Sequence, residues 1–335
     1  MRLIRFILKA CAAGIAAAAA LCILLSCYSL MPVHTKNPLG NTDYVWPANS
    51  LWMQMDEGVS LGRFDAQGFN NAHVIDHPDV LILGSSHMEA TQVMQDETAS
   101  AQLQSLLGDS MSVYNMGISS HNLPKVCQYL PQTLSLYDPA PKTVFIETSM
   151  VALYEYDVQT ILDQSVRRIE SHEEGLVAAL QKLPFFRALY QQIIGGLGDL
   201  LLDARGVQSA PPGGEEDLPP TDGSQYDPLM TYLSELEAAH QTELVIFCHP
   251  KGYLQDDGSV FFAPDPCLEA FSRKCAEHGI GFIDMAPAFY AMYESEQKLP
   301  HGFITGEAGS GHLNRDGHRA IAKALYQYLE GGKEM

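Results

Sequence analysis

Positive charge is scarce in this chain. Forty acidic residues face twenty lysines and arginines, for a formal net charge of −20. No basic stripe exists to neutralise phosphates, which excludes a nucleic-acid-binding surface. The acidity reads as a solvated exterior. Cysteine supplies no framework either. Cys11, Cys22 and Cys27 fall in an apolar leader, leaving Cys127, Cys248, Cys267 and Cys275 beyond it. Their spacing matches no zinc pattern. Cys267 and Cys275, on one predicted helix, would stand about 12 Å apart, too far to bridge. They read as buried thiols. No metal and no cofactor are expected.

What the chain does have is one long uncharged run. Arg2, Arg5 and Lys9 precede residues 10–33, which carry no charge. As a helix this run spans about 36 Å, against about 30 Å for a bilayer core. The basic side predicts residues 1–9 in the cytoplasm, 10–33 as a transmembrane signal anchor, and the remainder outside the cytoplasm. An alternative stays open: Leu24-Leu25-Ser26-Cys27 loosely resembles a bacterial lipobox, which would make Cys27 a lipidated first residue. Either way the protein is expected at the cell membrane.

Residues 34–75 are polar and hold both tryptophans, Trp46 and Trp52. They read as a stalk that then packs along the domain, residues 76–335. Five short apolar runs follow, at 79–83, 111–116, 142–147, 243–248 and 280–284. Their near-continuous apolar character predicts strands buried on both faces, as in a parallel sheet. Helical patterns fall at Glu97–Leu107, Pro228–His240, Pro264–His278 with Gly279 as its cap, and Arg315–Leu329. This alternation predicts a doubly wound α/β fold with a five-stranded parallel sheet and ligands at the carboxyl ends of its strands. Residues 150–227 break the rhythm as an insertion. Its helical part, 150–205, carries Phe185, Phe186 and Tyr190 and suggests a lid, a surface for a membrane-protein partner, or simple packing on the domain. Its Pro- and Gly-rich part, 206–227, predicts a disordered loop.

Chemistry concentrates at two places. Val80-Leu81-Ile82-Leu83 runs into Gly84-Ser85-Ser86-His87, which puts a serine on a tight turn at the carboxyl edge of the sheet. Far downstream, Gly311-His312-Leu313-Asn314 and Gly317 open the last helix, where a histidine could reach that serine. Serine and histidine in this relation suggest nucleophilic acyl chemistry. The pattern resembles the SGNH/GDSL hydrolase superfamily over residues 76–149 and 243–331. That resemblance implies an SGNH/flavodoxin-like sheet, Ser86 as nucleophile, His312 as base, and Ser86, Gly117 and Thr148 at the oxyanion position. In its envelope-facing branch it implies an esterase or O-acyltransferase acting on an acylated envelope polysaccharide or another small ester.

Two positions depart from the family pattern. An Asp is usual three residues before the histidine, where this chain has Gly309, and the third strand is followed by no Asn. Glu307 is the first candidate for the orienting acid, Glu147 the second, and a bare Ser86–His312 dyad the third. His249, Ser85 and His87 are candidate substrate contacts. His318 reads as a solvated helix residue. The competing function is a non-catalytic envelope binding or assembly protein on the same fold.

Overall fold

A computed structural model describes residues 2–28, 35–37, 39–40, 44–55, 57–153, 155–163, 222–255, 257–263, 265–304 and 309–331. Of the expected disordered loop at 206–227, residues 206–221 lie outside them, as do the aromatic patch at 185–190 and Glu307; the end of that loop is instead ordered, with a 3-10 turn at Ser224–Tyr226 that buries Tyr226 completely.

Helix α1, Arg2–Tyr28, absorbs the basic end and most of the apolar run into one element. It is the one described helix long and apolar enough to cross a membrane by length and composition.

The remaining described residues build an α/β unit around strands β5 (Val80–Leu83), β6 (Val113–Asn115), β7 (Thr143–Thr148), β8 (Glu243–Cys248) and β11 (Gly281–Asp284). All pair in parallel, in the order β11-β8-β7-β5-β6. The doubly wound sheet expected from the sequence is present. Every residue of β5 is buried, because helices cover both faces. Val80, Ile82, Phe145, Val245, Phe247 and Ile283 supply one face of the core, against α3 (Ala99–Leu107), α8 (Ala286–Glu296) and α9 (Arg315–Leu329). The other layer holds α4 (Leu123–Leu134), α5 (Glu155–Leu162), α6 (Asp227–His240) and α7 (Leu268–His278). Each fully buried aliphatic contributes roughly 1.5–3 kcal/mol.

Local chemistry sets the helix ends. Thr98 caps α3 by accepting the Ala101 N–H, and Gly279 ends α7 in the left-handed region at φ 77°. Asn314 caps α9 by accepting the N–H groups of Asp316 and Gly317. A side chain at Gly317 would place its Cβ 2.2 Å from the Pro300 carbonyl oxygen. The Asn-x-x-Gly spacing is therefore a cap plus a close approach, and it fixes where α9 begins.

Residues preceding β5 pack onto this unit as two antiparallel pairs, β1 (Thr35–Lys36) with β2 (Tyr44–Val45), and β3 (Leu51–Gln54) with β4 (Ser60–Arg63). Trp46 stacks on Phe64 with ring centroids 5.0 Å apart and donates its indole N–H to the buried Glu89 carboxylate at 2.8 Å. Ser60 Oγ donates to the Thr91 carbonyl, and Asn71 bridges to Asn115. The segment is thus tied to the loops at the sheet's carboxyl edge. A further hairpin, β9 (Gly252–Leu254) with β10 (Val260–Phe262), follows β8.

Candidate active site

The sheet order reverses beside β5: the chain steps to β6 on one side and to β7 and beyond on the other. That switch point opens a crevice at the carboxyl ends. Ser86 stands there, first residue of the short helix α2 (Ser86–Glu89), with Ser85 as N-cap accepting the His87 N–H.

His312 Nε2 lies 2.9 Å from Ser86 Oγ. On the other side of the ring, Nδ1 lies 2.5 Å from Glu57 Oε2. With Nδ1–H donating to the carboxylate, Nε2 carries the lone pair that accepts the serine hydroxyl. The three groups form one hydrogen-bonded line. Its carboxylate comes from the connection between β3 and β4, in the segment that reads from sequence as a stalk. Glu57 also accepts the His312 backbone N–H at 3.3 Å. Gly311, at φ 82°, makes this approach possible, since a Cβ there would stand 2.7 Å from Glu57 Oε1. The position of Nδ1 is thus filled by Glu57, and the expectation centred on Glu307 falls on an undescribed residue.

Glu147, the second candidate for the acid, serves elsewhere. It is fully buried, accepts the Ser85 N–H at 2.7 Å through Oε2, and pairs with His249 Nε2 at 2.7 Å through Oε1. Burial alone would raise its pKa. The hydrogen bond and charge of His249, with the nearby His87 and the Ser85 N–H, outweigh burial and hold the carboxyl below its ordinary value. Gly84 is what admits it: a Cβ there would meet Glu147 Oε2 at 2.6 Å. Glu147 and His249 therefore brace the turn from beneath.

Several expected contacts are corrected by the same geometry. His249 is completely buried and is no substrate contact. The Ser85 hydroxyl is committed to capping α2. Gly117 N–H donates to Asn115 Oδ1 at 2.9 Å, so it is not a free oxyanion donor. Its glycine is required for another reason, because a Cβ would lie 2.5 Å from the Glu89 nitrogen. Thr148 Oγ donates to the Met150 carbonyl at 2.6 Å. Ser86 N–H alone, of the three expected donors, has no partner among the described residues. His318 is buried, not solvated, and accepts the Ala99 N–H through Nδ1.

Sequence reasoning missed that His87, His249, His301 and His312 pack as one cluster, with neighbouring ring centroids 4.7–5.8 Å apart. Burial, then the charge of neighbouring histidines, lowers His301 to about 2, and the same causes lower His318 to about 3. Among the described residues no group of three His, Cys, Asp or Glu side chains is placed to hold a metal ion. The His-x-x-x-His spacing of His73 and His77 falls in irregular chain. The four domain cysteines are buried free thiols. A separate groove of about 1040 Å³, lined by Asp79, Gln104 and Ser112, opens near the amino ends of β5 and β6, away from Ser86.

No family model and no curated protein matches the chain. Solved structures resemble it. Phospholipase A1 from Streptomyces albidoflavus NA297 is 12% identical, with 76% of this chain and 100% of that one covered, at a TM-score of 0.39. The acetylxylan esterase Axe2 from Geobacillus stearothermophilus is 13% identical, covering 78% and 97%, at 0.40. A GDSL-like protein from Parabacteroides merdae is 13% identical, covering 77% and 98%, at 0.37. These likenesses concern the fold alone.

Proposed function

We propose that the protein is a membrane-tethered serine hydrolase of carboxylic esters, with Ser86 as nucleophile, His312 as general base and Glu57 as the acid that orients it. The continuous line from Ser86 Oγ through His312 to Glu57 supports this reading. A serine hydroxyl attacks poorly until a base takes its proton, and a neutral imidazole can do so near neutral pH. In the forward step Ser86 Oγ bonds the carbonyl carbon while its proton passes to His312 Nε2. As the tetrahedral species collapses, that proton goes to the leaving alkoxide and the acyl group stays on Ser86. Water or a sugar hydroxyl then takes the acyl group by the reverse sequence, which gives hydrolysis in one case and O-acyl transfer in the other.

The substrate we favour is an acyl ester on a cell-envelope glycan. Helix α1, with Arg2, Arg5 and Lys9 at its amino end, fits a single-pass tether that leaves the α/β unit outside the cytoplasm. Tyr253 and Phe261 pair across the β9–β10 hairpin and are exposed, offering a flat aromatic surface of the kind a sugar ring packs on. Gly309, in the histidine loop, abuts Gly252 of the same hairpin. The non-catalytic alternative rested on the missing Asp and Asn; Glu57 offers a carboxylate in place of the Asp, which favours the enzyme reading.

Labelling of the full-length protein in detergent with a fluorophosphonate tests the proposal. A single adduct on the Ser86 peptide, absent from S86A and strongly reduced in H312A, is the expected result. A folded protein that takes no adduct, or an S86A variant that labels like the parent, would overturn it.

A further inference from the structure

The residue after the nucleophile is a histidine whose two ring nitrogens meet different surroundings. His87 Nδ1 accepts the Leu313 backbone N–H at 3.3 Å. A ring nitrogen that accepts a hydrogen bond carries the lone pair, so the proton of the neutral ring resides on Nε2. Nε2 has no partner among the described residues. Nor does it belong with the buried unpaired atoms of the cluster, which are His249 Nδ1 and both nitrogens of His301. Ser86 and His87 are both partly exposed. The His87 ring centroid is 5.1 Å from that of His312, so the two rings are neighbours at the nucleophile's turn.

The surroundings also keep this ring neutral. Burial, then the charge of His249, lowers its pKa well below the ordinary value, against a smaller opposing pull from Glu147. A neutral imidazole with a fixed tautomer is a donor that neither titrates near pH 7 nor competes with His312 for the serine proton. The site needs such a group. Gly117 N–H and the Thr148 hydroxyl are both engaged within the protein, leaving Ser86 N–H as the single free donor of the expected set. Negative charge growing on a carbonyl oxygen is stabilised by donors already in place, each contributing about 10²–10³ in rate.

We infer that His87 Nε2–H is the second donor of the oxyanion hole, hydrogen-bonding the carbonyl oxygen of the bound ester as Ser86 attacks. The inference rests on Ser86 being the nucleophile. As the Oγ–C bond forms, the carbonyl π pair moves to oxygen, between Ser86 N–H and His87 Nε2–H. The serine proton travels to His312 and on to the leaving alkoxide, while His87 keeps its own proton throughout.

The test compares the full-length protein with H87F and H87Q on p-nitrophenyl acetate and on a simple alkyl acetate. Phenylalanine keeps the ring volume without the donor, and glutamine restores an N–H. H87F should lose about 10²–10³ in kcat on both esters, with KM changed by less than about threefold. H87Q should recover at least about tenfold of that loss. Nitrophenolate leaves without being protonated, so a loss confined to the alkyl ester would make His87 a leaving-group donor and overturn the assignment. Unchanged kcat in H87F, or a loss that H87Q does not restore while both variants melt like the parent, would also overturn it. If the parent protein neither turns over ester nor takes the fluorophosphonate, Ser86 itself is misassigned and the inference falls with it. If the parent is active and H87F matches it, only the inference falls.

Discussion

Removing the Glu57 carboxylate should cripple turnover without unfolding the protein. The group reaches His312 Nδ1 at 2.5 Å, yet the two side chains remain 34% and 30% exposed. When His312 takes the serine proton it becomes an imidazolium, and Glu57 then faces a full positive charge. Two unit charges about 4 Å apart attract by about 1 kcal/mol in water and about 4 kcal/mol at an effective dielectric of 20. Half-exposed groups fall between these limits. At about 1.4 kcal/mol per decade, E57Q should therefore lose roughly 5- to 10³-fold in kcat. Its amide keeps the tautomer where the oxygen accepts the Nδ1 proton; an amide that turns its NH2 to Nδ1 reverses it and deepens the loss. E57L loses charge and tautomer together, and should approach the loss of about 10⁴ measured when a serine protease histidine adopts the wrong tautomer. The assay is kcat and KM on p-nitrophenyl acetate for full-length protein in detergent, with circular dichroism to verify folding and E307Q alongside. Ester turnover in E57L within about twofold of the parent, or an equal loss in E307Q, would refute the assignment.

The same geometry makes Gly311 sensitive. An alanine there puts its Cβ 2.7 Å from Glu57 Oε1 and holds a non-glycine residue at φ 82°. G311A should lose activity to the extent E57L does while costing only about 1–2 kcal/mol of stability by urea titration; wild-type turnover would show that Glu57 can reorient freely. Acid should destabilise the fold in a definable window. His301 and His318 have folded-state pKa values of about 2 and about 3, below the ordinary 6.5. Between those values the unfolded chain binds protons that the folded chain does not, so the stability these groups contribute is present above pH 6.5 and is lost as pH falls. Each should contribute a slope of about 1.4 kcal/mol per pH unit between pH 6 and 5, and H318Q should remove one such increment from urea-derived stabilities. A slope unchanged by H318Q would contradict its neutral burial.

The sheet was legible because its strands are buried on both faces. Runs such as VLIL and ELVIFC have no solvated side, so each announces itself as an apolar block between turn residues. Ser86 and His312 were legible because a strand end and a helix cap fix their places locally. Glu57 was not. It lies in a polar connection without periodicity and acts only through a contact across 255 residues of sequence. Gly311 is the local trace of that contact, since a glycine beside the base makes room for an incoming side chain. Helix α4 was hidden by Pro124 and Pro131. His249 and His318 read as edge and surface residues because a lone histidine in sequence gives no sign of burial; the layers packed over it decide that.

Helix α9 also sets when the chemistry can begin. Glu57 and Ser86 are made early, but the base that joins them arrives with α9, the last described element. Its position depends on Asn314 capping that helix, on Gly317 seating against the Pro300 carbonyl, and on His318 accepting the Ala99 N–H from α3. A chain still being synthesised, or one that has folded everything except α9, holds an unactivated serine. On the proposed mechanism, reactivity toward esters therefore requires α9 to be docked, and the appearance of a fluorophosphonate-reactive Ser86 would serve as a clock for that docking during refolding.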